Sequence, residues 1–276
     1  LRKKLPMALI HEGCGTVLYD PTHTFQPGEK VIMIPNVLST DREDEIFENY
    51  RKGSAFLSSG RDGFMREFVN LKPDRLVPYK EIEGKIAAIT EFVSVGMHGV
   101  NRFSKLAHSY KERIGVWGDG SLAFVVSSIL KYRFPASKIC VMGKNADKLN
   151  QFSFADEIHL IDDLTDGFTV DHAFECAGGE GSAYAIDDII RFINPQGVVA
   201  LMGVSEAKVP INTRDILEKG LVFVGCSRSG REDFENAVDF MKDKKIQNRL
   251  NSIIYETEPV EKLLDIHRVL DRKSVV

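Results

Sequence analysis

The hydrophobic rhythm of the chain changes sharply at Arg113. From there on, short apolar runs recur at 113–118, 138–143, 157–161, 171–176, 197–203 and 221–226. Between them lie segments whose apolar positions keep a helical period, at 120–133, 146–152, 181–193, 213–219 and 231–242. Runs that are apolar on both faces and alternate with helices predict a parallel sheet covered on each side. Six of them match a doubly wound, six-stranded dinucleotide-binding (Rossmann) sheet, an α/β fold. Residues 1 to about 110 read differently. Short β-type runs at Gly15–Tyr19, Pro27–Pro35 and Phe64–Val69 are separated by turn residues, with a charged, irregular stretch from Asn36 to Arg61. The end of the chain returns to a mixed strand and helix pattern. The expected organisation is a β-rich domain over 1–110, a dinucleotide-binding domain over 111–245, and a return to the first domain over 246–276.

The most informative run is Ile114 to Ala123. It carries Gly118-x-Gly120-x-x-Ala123 between an apolar strand and an apolar helix. The first glycine permits a tight turn, the second lets backbone approach a pyrophosphate, and Ala123 keeps helix and strand close. The free N–H groups of the new helix, at Gly120, Ser121 and Leu122, face the anion. A second strand follows after one helix length and ends in Gly143-Lys144. Enzymes that use NAD usually place an acid there for the ribose 2′-hydroxyl, whereas a lysine attracts a 2′-phosphate. Lys144 and Lys148 therefore favour NADP(H), although both also fit a solvated helix start, and Asp147 could still serve NAD. The strand ends at Ala177-Gly178 and Gly203-Val204 are rich in small residues, and they read as cofactor-lining turns or as plain connections. The loop Ser227-Arg228-Ser229-Gly230-Arg231 reads as a phosphate grip or as a helix cap.

Composition narrows the class. The formal net charge is -4, which offers no broad basic surface for nucleic acid. No apolar run reaches the roughly 18 residues of a membrane span, and the first residues lack the apolar core of a signal peptide. A cytoplasmic location is the default expectation. The cysteines Cys14, Cys140, Cys176 and Cys226 are widely spaced, which argues against a disulfide scaffold or a four-cysteine zinc site.

Two further segments carry metal-ligand chemistry. His11 and Glu12 are adjacent at a glycine-rich strand end, and Glu91 heads a helix of small residues. Imidazole and carboxylate both bind zinc, but the dipeptide alone also fits a surface pair. In order, the segments HEGCGTV, PGEKVIMIP, DGFMREFV, TEFVSVGMHGV, GVWGDGSLAFV and FECAGGEGS resemble the zinc-containing medium-chain alcohol dehydrogenase family. The match is to the polyol dehydrogenase branch, with its pattern E-P-L-S-V-G-x-H-A, and it covers most of the chain.

The resemblance implies a GroES-like catalytic domain and one catalytic zinc, held by His11, by Glu12 as a direct or alternating ligand, and by Glu91 directly or through water. His98 is read as a helix residue rather than a ligand. The family's first ligand is a cysteine upstream of the G-H-E segment. The chain starts ten residues before His11, so an N-terminally shortened catalytic domain and an incomplete, inactive zinc site are expected. The four-cysteine structural zinc lobe would fall between Val31 and Gly63, where there is no cysteine, so no structural zinc is expected. Within the branch, the chain is most similar to members that reduce ribulose 5-phosphate to ribitol 5-phosphate with NADPH for teichoic-acid-type or capsular polymers. Two alternatives stay open: an NAD-dependent dehydrogenase of a free polyol such as sorbitol, and a non-catalytic nucleotide-binding fragment. The expected partners are a small polyol or ketose phosphate, a second copy of the chain paired through Leu221–Cys226, and the cytidylyltransferase of the same pathway.

Overall fold

The computed structural model describes residues 6–39, 46–255, 259–262 and 264–266. The first part holds five short strands: β1 (Cys14–Thr16), β2 (Lys30–Met33), β3 (Asn36–Val37), β4 (Ala55–Phe56) and β5 (Leu76–Pro78). The antiparallel sheet β1-β2-β5 packs Ile32 against Val77 in register, and β3 pairs with β4. Two expectations are corrected here. The first run is a strand only to Thr16. Leu18 and Tyr19 stand exposed, and the chain turns where the Asp20 carboxylate accepts the N–H groups of Thr22 and Phe25. No strand covers 64–69. Instead Gly63, Phe64 and Met65 donate to the carbonyls of Ala8, Ile10 and Leu9, so their donors are satisfied by an irregular segment and no ladder forms. The charged stretch 36–61, of which 40–45 lie outside the described residues, supplies β3, β4 and a single turn at Glu48–Tyr50.

Helices α1 (Gly84–Ala87) and α2 (Thr90–Leu106) lead into the second part. In α2 the buried Val93, Met97, Val100 and Phe103 recur at three- and four-residue spacing and form the stripe facing the core. The parallel sheet then runs through β6 (Arg113–Trp117), β7 (Lys138–Gly143), β8 (Glu157–Leu160), β9 (His172–Glu175), β10 (Val198–Leu201) and β11 (Val222–Gly225). Its order is β11-β10-β9-β6-β7-β8, as expected for a doubly wound domain, and every pairing is parallel. The intervening helices are α3 (Ser121–Arg133), α4 (Ala146–Leu149), α5 (Gly181–Phe192), α6 (Thr213–Lys219), α7 (Arg231–Met241) and α8 (Lys244–Leu250).

Alternation along β7 shows the two layers. Ile139 and Val141 point into the core built with α2, α3 and α7, whereas Cys140 and Met142 point into the core with α5. Beyond α8, the described part of 246–276 contains helical turns and no strand. Residues 256–258, 263 and 267–276 lie outside the described residues, as do Leu1–Leu5. Among the described residues, no helix is long and apolar enough to cross a membrane.

Candidate functional site

His11 and Glu12 lie on the segment entering β1, and Glu91 lies in the first turn of α2. The fold brings one ligand atom from each within 4.8 Å of the others. His11 Nε2 is 3.8 Å from Glu91 Oε2, too far for a hydrogen bond but close enough to share an ion. The ring of His11 rests edge-on against Phe56, with centroids 4.9 Å apart, which fixes its orientation. Burial, and then the charge of Glu12, push the Glu91 carboxyl up to about 8. Burial also raises Glu12 and lowers His11. Two largely desolvated acids and an imidazole whose protonation burial disfavours converge on one point, a cluster that a divalent cation stabilises, and the donor set is one zinc accepts at about 2.0–2.2 Å. The residues present therefore fit a zinc ion. Cys14 stays outside the cluster, with its thiol directed at the Gly84 carbonyl.

The second site lies at the carboxyl ends of β6, β7 and β9, where the strand order reverses. A cavity of about 430 Å³ opens there, lined by Gly118, Gly120, Gly143, Lys144, Lys148, Ala177 and Gly178. Gly118 has φ 143°, and a Cβ on it would sit 2.9 Å from the Cys176 carbonyl oxygen, so only glycine closes this turn. Gly120 caps α3 and has open space where a Cβ would be, which leaves the helix N-terminus accessible to an anion. Gly143 has a different reason. A Cβ on it would lie 2.6 Å from Asp119 Cβ, so the place where NAD enzymes carry an acid is already filled. Asp119 itself is engaged, because Oδ2 accepts from the N–H groups of Lys144 and Asn145 at 2.8 and 2.9 Å. The cationic Lys144 Nζ lies 5.0 Å from the ring centre of Tyr184 at the cavity mouth. Asp147 is not among the lining residues. The cradle and its two lysines fit a dinucleotide with a 2′-phosphate.

Other expected cofactor residues lie outside that wall. Ser121 and Leu122 form the first turn of α3, with Leu122 turned to the core. Val204 is 80% exposed. Gly203 packs beneath Glu175, and Ser227 lies beside Asn49 and Tyr50.

Comparison with known proteins places this geometry. A zinc-binding dehydrogenase profile matches residues 141–243. Ribulose-5-phosphate reductase of Streptococcus pneumoniae is 58% identical over 269 residues, 98% of this chain and 78% of that protein. The chain belongs to the zinc-binding dehydrogenase family. Ribulose-5-phosphate reductase of Bacillus spizizenii is 45% identical over 96% of this chain and 78% of its own length. The crystal structure of Staphylococcus aureus TarJ in complex with NADPH superposes with a TM-score of 0.85 at 39% identity, covering 98% of this chain and 78% of that one.

Three features of this dehydrogenase escaped the sequence reading. Glu175, 1% exposed, ends β9. Its Oε1 accepts from Ala177 N, Gly178 N and Ser182 Oγ at 3.0–3.1 Å, and its Oε2 accepts from Gly203 N at 2.9 Å. One buried carboxylate thus ties together the turns after β9 and β10. An acid closing an apolar strand was the available signal. His98, correctly read as a helix residue, is buried, with Nδ1 2.8 Å from Asp233 Oδ2 and Nε2 2.9 Å from the Tyr50 hydroxyl. Phe56 touches His11 and also carries the Arg228 guanidinium 5.1 Å from its ring centre.

Proposed function

We propose that this dehydrogenase reduces ribulose 5-phosphate to ribitol 5-phosphate with NADPH, in the service of a polyol-phosphate polymer of the teichoic-acid or capsular type. The observation that carries the reading is the convergence of His11, Glu12 and Glu91 in a chain 58% identical to a ribulose-5-phosphate reductase. In this reading His11, Glu12 and Glu91 hold one zinc ion. When bound, zinc supplies Lewis-acid polarisation of the ketone and NADPH supplies the hydride.

The chain's own residues do the rest. Gly118 and Gly120 let backbone and the α3 N-terminus receive the pyrophosphate. Lys144 and Lys148 attract the 2′-phosphate, and the Asp119 side chain holds the Lys144 backbone in place. Glu175 fixes the two turns that border the nicotinamide end. Residues 1–110 with 246–276 form the catalytic domain, and 111–245 form the cofactor domain. A cytoplasmic homodimer is part of the reading. β11 is an edge strand whose Val222 is 40% exposed, and pairing with a second copy covers it. The pathway's cytidylyltransferase, which consumes the product, is the expected second partner.

The test is NADPH consumption by the full-length, zinc-loaded protein, with ribulose 5-phosphate set against free ribulose and fructose. Strong preference for the phosphate ester is expected. Equal rates, or no reduction of the ester, overturn the reading.

A further inference from the structure

The loop after β11 offers four polar residues near the site, and the structure commits the side chains of Arg231 and Ser229 and the backbone of Ser227 to the fold. Arg231 is spent on the fold. Its Nε bonds Glu235 at 2.8 Å, its guanidinium bonds the Asp74 carbonyl at 2.6 Å, and its N–H bonds Glu48 at 2.8 Å. Ser229 is 1% exposed. Its Oγ lies 2.6 Å from Ser94 Oγ, and its carbonyl accepts from Asn36. Ser227 anchors the loop through its backbone, with its N–H on the Tyr50 hydroxyl and its carbonyl on Asn49.

Arg228 stands between these two pinned serines. Its φ is +60°, the left-handed region that a non-glycine residue enters only when its surroundings force it. Its guanidinium has no carboxylate partner among the described residues. It lies over the Phe56 ring at 5.1 Å, and that same ring is in edge contact with His11. A second link leads to the same place, because Ser94, bonded to Ser229, also donates to the Glu91 carbonyl at 2.6 Å. The loop is therefore fastened to the turn that carries Glu91, and it presents one uncommitted cation a single aromatic ring away from the metal cluster.

We propose that Arg228 is the subsite for the substrate's phosphate, a conclusion that rests on the reading above. In ribulose 5-phosphate the ketone and the phosphate are separated by three carbons. A substrate whose carbonyl lies at the His11–Glu12–Glu91 cluster extends its phosphate only as far as the neighbouring ring. A guanidinium gives a phosphate two parallel N–H donors, and the Phe56 face keeps its plane from swinging. The same arrangement gives a free pentulose nothing to bind, so Arg228 acts as the specificity determinant.

The experiment uses the full-length, zinc-loaded enzyme with Arg228→Ala, Arg228→Gln and Arg228→Lys. The expected result is a rise in KM for ribulose 5-phosphate of about 10–100-fold in the first two and less in the third. KM for NADPH should hold, and the preference over free ribulose should collapse by the same factor. Calorimetric binding of ribitol 5-phosphate, which needs no turnover, should weaken in parallel. A variant that keeps its KM and product affinity, while still preferring the phosphate ester, overturns the subsite and leaves the substrate reading intact. A rise in KM for NADPH with either substrate assigns Arg228 to the cofactor and also overturns it. A wild-type enzyme indifferent to the phosphate overturns the substrate reading itself. Should the alanine variant fail to fold, the glutamine and lysine variants decide by the same readings.

Discussion

Replacing Glu175 by glutamine removes a charge and one acceptor, yet it barely changes shape. The carboxylate has four donors around it: two backbone N–H groups and the Ser182 hydroxyl on Oε1, and the Gly203 N–H on Oε2. The amide NH₂ must take one of the two oxygen positions. Its least harmful place is opposite Gly203, which still turns an acceptor into a donor facing a donor. The charge-assisted bond lost there is worth about 1.5–3 kcal/mol, whereas the Gly203 N–H is not stranded, because it also donates to the Glu175 backbone carbonyl at 3.1 Å. Glu175→Gln should therefore destabilise the fold by about 1.5–3 kcal/mol. For a chain of this size that is a fall in Tm of roughly 3–10 °C. Scanning calorimetry reads the stability. Because the loosened turns border the cofactor cavity, fluorescence titration should show weaker NADPH binding as well. A variant melting within about 2 °C of wild type, with NADPH affinity intact, would refute the account of Glu175 as the tie between the two turns.

Lys144→Glu should raise KM for NADPH at least about 10-fold while leaving NADH unharmed, and steady-state kinetics with both coenzymes measures it. An unchanged ratio removes Lys144 from coenzyme choice. Zinc binding should be proton-linked. With its pKa near 8, Glu91 is protonated in the metal-free protein at neutral pH, so zinc must displace about one proton and its affinity should climb from about pH 6 to 8 and then level. Calorimetry in buffers of different ionisation enthalpy reads that proton, which Glu91→Gln should abolish. The same raised pKa makes the metal-free fold lose stability as pH rises from the carboxyl's ordinary 4.5 through about 8. Val222→Lys should dissociate the proposed dimer in sedimentation velocity, and a dimer unaffected by it places the interface elsewhere.

The parallel sheet was legible because its strands are buried on both faces. Val198-Val199-Ala200 or Ile139 to Met142 can be satisfied only between two helical layers. The first part was harder to read. Its strands are two to four residues long and find partners remote in sequence, as β2 does with β5. Phe64–Val69 looked strand-like, but backbone pairing with Ala8–Ile10 settled its shape instead. At the site, His11 and Glu12 meant little without Glu91, and only the family resemblance supplied that connection. The His98–Asp233 contact, across 135 residues, left no local trace. Arg228 was one of several polar residues in its loop until the partners of the others separated it.

The packing of Asp119 against Gly143 has a consequence for how coenzyme preference can change. Installing the ribose-binding acid of an NAD enzyme at position 143 is blocked while the 119 side chain fills that space. Trimming Asp119 to alanine leaves its Cβ at 2.6 Å and Leu149 Cδ2 at 2.9 Å from the same point, and it releases the backbone of Lys144 and Asn145, which Asp119 alone holds by side-chain hydrogen bonds. The first step meets a clash, and the second loses two backbone hydrogen bonds without clearing it. Coenzyme choice at this turn is therefore coupled physically across positions 119, 143 and 149. A laboratory switch to NADH should be sought among combined substitutions at 119, 143 and 149, not by scanning any one of them alone.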